Sequence, residues 1–76
     1  MPYHSANESA WGLEFGYKLR TMIDNSGLTQ AEIAERIGVS RQIFSRYVHG
    51  TAIPSIYKVT QIANIIGCTI DDLTKF

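Results

Sequence analysis

Between residues 40 and 50 the chain reads SRQIFSRYVHG, and its polar side chains are donors and cations without one acid among them. If Phe44 and Tyr47 mark the inward side of a helix, the opposite side carries Gln42, Ser45, Arg46 and His49. Arg41 and Ile43 lie at its margins. Groups of this kind suit recognition of an anion or of a patterned polar edge.

The rest of the chain supplies no better chemistry. His4, His49 and Cys68 fall in separate predicted elements, and Asp71 and Asp72 are adjacent without any metal-ligand spacing. Asp72 is better placed to favour the start of a helix. Nothing resembles a nucleophile with its base, or a phosphate loop. An enzyme is therefore not expected, nor is a metal or a cofactor.

Charge points the same way as the donor face. The 76 residues carry no net charge, yet the charges are segregated. Residues 1–35 hold two bases and five acids, whereas residues 36–58 hold Arg36, Arg41, Arg46 and Lys58 with no acid. A segment so one-sided attracts a polyanion even inside a neutral chain. The length suits one domain with one small core, and a hydrophobic share of 45% argues against disorder. A single cysteine, Cys68, rules out an internal disulfide and fits a reducing compartment. Lys58, Gln61 and Asn64 interrupt the richest apolar stretch, so no segment spans a bilayer. The first residues, MPYHSANESAW, have neither a basic start nor an apolar signal core. The expectation is a cytoplasmic protein with no membrane partner.

The donor face needs a scaffold, and the spacing predicts helices throughout. Gly27, Gly38, Gly50 and Gly67 stand where apolar periodicity stops, and Thr29, Ser40, Ser55 and Thr69 follow as N-caps. Thr29 and Glu32 form a capping-box pattern. Five helices result, over about 13–25, 30–37, 41–48, 56–66 and 70–75. Their inward residues are Phe15, Leu19 and Met22; Ile33, Ala34 and Ile37; Phe44, Tyr47 and Val48; Ile56, Val59, Ile62, Ala63 and Ile66; then Ile70 and Leu73. Residues 1–12 are expected as a flexible extension before a domain of residues 13–76. Tyr3 and Trp11 are candidate anchors for it, and a Ser5–Glu8 capping box would start the first helix earlier. The fold class is all-α, a compact five-helix domain.

Helices two and three are short and joined through GVS, which is helix-turn-helix geometry. Here the chain resembles the phage repressor and Cro-like (XRE-like) helix-turn-helix proteins. The matching text is GLTQAEIAERIGVSRQIFSRYVHG, followed by PSIYKVTQIANIIGCTIDDL. The resemblance covers about residues 19–73 and implies a lambda-repressor-like fold whose third helix enters the major groove of double-stranded DNA. Arginine can grip guanine O6 and N7, glutamine can pair with adenine, and isoleucine can touch a thymine methyl. Arg41, Gln42 and Arg46 are thus the base-reading candidates, with Ile43 a lesser one. The resemblance assigns Gln30 to a phosphate, and a helix N-terminus with its free N–H groups favours that anion. Ser40, Ser45, His49 and Arg20 are further phosphate candidates. The resemblance also implies a small transcriptional regulator, a repressor, of prokaryotic, phage or plasmid origin. It would bind a near-palindromic operator as a weak homodimer, using the surface from Ile65 to Phe76.

The chain departs from the family where an arginine late in helix one pairs with a glutamate in helix three. Ile23 and Val48 occupy those positions. Both partners are apolar, so a hydrophobic contact replaces an ion pair, an exchange that is often neutral or stabilising. Arg20 and Lys18 remain as the cations of that region. The competing reading is a protein-binding module on the same fold, antitoxin-like or regulator-binding, because fold does not settle function.

Overall fold

A computed structural model describes residues 3–76, with side chains from residue 8 onward. It has five helices in chain order: α1 Tyr3–Ser26, α2 Gln30–Ile37, α3 Arg41–His49, α4 Ile56–Ile66 and α5 Ile70–Thr74. The four expected caps are in place. Thr29, Ser40, Ser55 and Thr69 each accept a hydrogen bond from the backbone N–H three residues on. At Thr29 and Thr69 the box is reciprocal, since Glu32 and Asp72 accept the cap residue's own N–H. Gly38 ends α2 with φ 74° and Gly50 ends α3 with φ 79°. A side chain there would crowd its own carbonyl, so only glycine turns the chain sharply enough to start the next element.

Each helix is too short or too polar to stand alone, and the core shows what binds them. The fully buried large side chains are Phe15, Leu19, Ile33, Phe44, Ile62 and Leu73. They come from all five helices, so no helix can leave without opening the core. No polar or charged residue is buried among the described ones. Burial of each such side chain contributes about 1.5–3 kcal/mol.

Two expectations need correction. First, α1 begins at Tyr3, well before the start expected near residue 13. Trp11 stacks on Phe15 at 5.3 Å, with Phe76 against it at 5.7 Å, so an aromatic cluster belongs to this part of the helix. Ser5 accordingly lies inside α1, not at its cap. The side chains of Ser5 and Tyr3 are outside the described residues, and the box and the anchoring expected of them fall there. Second, Ile56 is 69% exposed. It is the first residue of α4, and the core-facing stripe begins only at Val59. Of the surface from Ile65 to Phe76, Ile65, Ile66 and Ile70 pack partly buried against the core and Leu73 is in it, whereas Phe76 is 53% exposed.

Candidate nucleic-acid interface

The third helix is fixed by its neighbours before any of its outer residues matter. Phe44, Tyr47 and Val48 are buried, and Phe44 meets the Tyr47 ring edge-on at 6.1 Å. On the α1 side the backbones themselves approach. A Cβ on Gly12 would lie 2.8 Å from the Gly50 carbonyl oxygen, and one on Gly16 would overlap the Val48 carbonyl oxygen. The close crossing of α1 and α3 therefore requires both glycines. They were missed in the sequence, although their G-x-x-x-G spacing puts both on one helix face.

With the inner side committed, the outer side is decided. Arg41, Gln42, Arg46 and His49 are exposed, whereas Ile43 is half-buried against the core. Arg41, Gln42, Ser45 and Arg46 line one open hollow. Gln30, Ala31, Arg41 and Phe44 line a second. Arg41 joins the two, so the start of α2 and the outer face of α3 form one continuous donor surface. Thr29 caps the N–H of Glu32, and the N–H groups of Gln30 and Ala31 have no acceptor within their own helix.

The serines divide their duties. Ser40 Oγ accepts from the Ile43 N–H at 3.1 Å, which leaves its own proton to donate outward. Ser45 is half-buried, with Oγ 3.2 Å from His49 Nδ1. Arg20 is exposed and lies four residues beyond Gly16, on the strip of α1 that passes α3. Lys18 is not with it: it lies near Asp72, whose carboxyl the Thr69 backbone N–H holds below its usual range, with a smaller contribution from Lys18.

The cationic segment also divides. Lys58 Nζ donates to the Ile37 carbonyl at 2.6 Å, capping the end of α2. Arg36 is exposed on α2, near Glu32, whose ionised form is favoured first by the Thr29 backbone N–H and to a lesser degree by Arg36. Of the four cations in residues 36–58, only Arg41 and Arg46 lie on the outer face of α3. The sole ion pair within 4.0 Å among the described residues is Lys75 with Asp71, at 3.8 Å. Both guanidiniums therefore face solvent without a carboxylate. Cys68 is half-buried, and burial pushes its thiol up, away from the reactive thiolate. Among the described residues no His, Cys, Asp and Glu cluster could hold a metal ion, and no helix is long and apolar enough to cross a membrane.

The family model for helix-turn-helix proteins matches residues 19–73, a span that includes α2, the Gly38 turn and α3. The chain belongs to the helix-turn-helix family. It is 33% identical over 61 residues to a prophage-derived HTH-type transcriptional regulator, YonR, of Bacillus subtilis, covering 80% of this chain and 56% of that protein. The same identity over the same length relates it to the HTH-type transcriptional activator BcrR of Enterococcus faecalis, of which the match covers 30%. The chain thus spans about half of one curated relative and under a third of the other. The solution structure of an SOS-response transcriptional repressor, LexA, from Eubacterium rectale superposes with a TM-score of 0.80 at 36% identity. That likeness covers 87% of this chain and 70% of the LexA chain. The helix-turn-helix unit, residues 30–49, thus sits in a fold shared with proteins named as regulators.

Proposed function

We propose that this chain binds double-stranded DNA sequence-specifically, as the reading domain of a transcriptional regulator. The observation that carries the proposal is the acid-free outer face of α3, continuous through Arg41 with the open start of α2. Laid in a major groove, Arg41, Gln42 and Arg46 reach base edges. Ile43 keeps only a margin for a thymine methyl, because the core takes much of it. Gln30, Ser40, Ser45, His49 and Arg20 address phosphates, which set register without carrying sequence. One similar protein is named an activator and another a repressor; the same interface serves either outcome. A cytoplasmic site of action in a prokaryotic cell follows from such a role.

A single domain of this kind makes a small interface. We therefore expect a weak homodimer on a near-palindromic site, with half-sites roughly 34 Å apart. Sedimentation of the bound duplex across protein concentrations checks this, and one protomer per duplex throughout would reject it.

The decisive experiment starts with selection of a duplex from a random pool. Alanine variants are then titrated against it and its single-base changes at several salt concentrations. Loss of Arg41, Gln42 or Arg46 should relax discrimination at one or two base pairs, by about 1–3 kcal/mol for a good bidentate contact. Loss of Gln30 should weaken all sequences alike and leave the salt slope nearly unchanged. Loss of Arg20 should flatten that slope by about one unit. Wild-type affinity and base preference in all three α3 variants would return the protein-binding module as the better account.

A further inference from the structure

His49 holds a geometry that decides which of its nitrogens can meet a phosphate. Nδ1 lies 2.8 Å from the Ser45 carbonyl oxygen. A carbonyl oxygen only accepts, so Nδ1 must carry the proton that joins them. The Ser45 hydroxyl, at 3.2 Å from the same nitrogen, lies farther off and does not reverse that assignment. In the neutral ring the exposed Nε2 is then a bare lone pair, which repels a phosphate oxygen. Only a second proton, taken from solvent onto Nε2, turns it into a donor.

No carboxylate among the described residues supplies a counter-charge; the fold offers only the carbonyl end of α3, where His49 is the last helical residue. Arg41 and Arg46 share α3 with His49. Facing α1 brings Glu8, which lines the hollow beside Gly50 and Thr51, with Tyr17 and Arg20 beyond it. At the other end of α3, α2 carries Glu32, Glu35 and Arg36, and Glu32 is engaged in its capping box. None of these carboxylates pairs with the imidazole within 4.0 Å; among the described residues the one ion pair is Lys75 with Asp71. A full negative charge for an imidazolium at position 49 must come from outside the chain.

We infer that His49 is a proton-gated phosphate contact: DNA binding draws a proton onto Nε2, so affinity rises as the solution is acidified. The inference rests on the DNA-reading proposal above and adds its regulation by pH. The sign follows from linkage. A group protonated more readily in the complex than in the free chain adds affinity that is fully present at low pH and lost as pH rises.

The test is a titration of the full chain with the selected duplex from pH 5.5 to 8 at constant ionic strength, for wild type and His49→Gln. His4 is present in both, so any contribution from it cancels in the comparison. Wild type should bind about tenfold tighter at the acidic end, near the low end of what one hydrogen bond to a charged group contributes. His49→Gln should still bind the duplex and lose that dependence. Nitrogen-15 spectra of the free chain at pH 8 should show the His49 proton on Nδ1. A wild-type slope equal to that of His49→Gln, an affinity that rises with pH, or a neutral ring protonated on Nε2 each overturns the inference while leaving DNA reading intact. Failure to retain any duplex at any pH would instead sink the DNA-reading proposal itself.

Discussion

Towards α3, helix α1 presents Gly12 and Gly16, and the two backbones meet with no side chain between them. Towards the C-terminal end it presents Trp11, whose ring sits against both Phe15 and Phe76. The first junction fixes the helix that carries the donor face, and it does so through atoms that cannot change rotamer. The second uses side chains that can shift, and Phe76 remains 53% exposed. Rigidity is thus placed under the reading helix, where a small displacement would move Arg41, Gln42 and Arg46 together. Adjustable packing is left at the far side.

The largest test of this contrast is Ile23→Arg. Ile23 and Val48 are each only 3% exposed within one core cluster, which leaves no room to solvate a charge. An unpaired buried charge should cost about 3–5 kcal/mol in urea unfolding, and adding Val48→Glu should recover part of it. A double-mutant cycle without coupling would show that the two residues do not share a contact. Gly16→Ala comes next. Alanine gains about 1 kcal/mol of helix propensity over glycine. Overlap with a backbone carbonyl cannot be relieved by a rotamer change, so a net loss of about 2–3 kcal/mol is expected. If Gly16→Ala melts no earlier than Phe76→Ala, backbone contact is not what distinguishes the junctions. For Phe76→Ala the expected loss is smaller, about 0.5–1.5 kcal/mol for the aromatic contact, with altered Trp11 fluorescence and little change in duplex affinity.

The smallest effect belongs to the capping boxes. Hydrogen bonds from the Thr29 and Thr69 backbones hold the Glu32 and Asp72 carboxyls below their usual range. A depressed carboxylate stabilises fully above the ordinary range, near about pH 4, and that stability fades as pH falls through it. Both groups are exposed, so the contribution is modest. Melting from pH 7 down to pH 3 should show a shallower acid loss in Glu32→Gln and Asp72→Asn than in wild type. Equal acid sensitivity would mean that the boxes are formed but contribute nothing measurable.

Much of this molecule could be read locally because its signals are local. A hydroxyl three residues before the N–H that it caps, and a glycine where periodicity stops, act within one turn of chain; α2 and α4 appear with the expected bounds. The outer face of α3 followed from the positions of Phe44 and Tyr47 alone. Local reading failed where distant chain decides. The start of α1 was misplaced because polar SANES gives no inward stripe, while the second ring partner of Trp11, Phe76, comes from the far end of the chain. Ile56 looked like core because spacing marks a face but not how far along a helix its neighbours reach. Lys58 was counted with the cations of residues 36–58, and the end of α2 proved to be its partner, 21 residues away.

By itself, then, the sequence determined the helices, their caps and the absence of acid from one face, since each depends on residues within a few positions of one another. Tertiary structure decided the rest. It brought Gln30 beside Arg41, set two glycines under α3, turned Lys58 and Lys18 away from the site, and fixed the His49 ring against its own helix. Those are contacts between side chains and backbone in three dimensions, and their outcome depends on which surfaces the packed core leaves open.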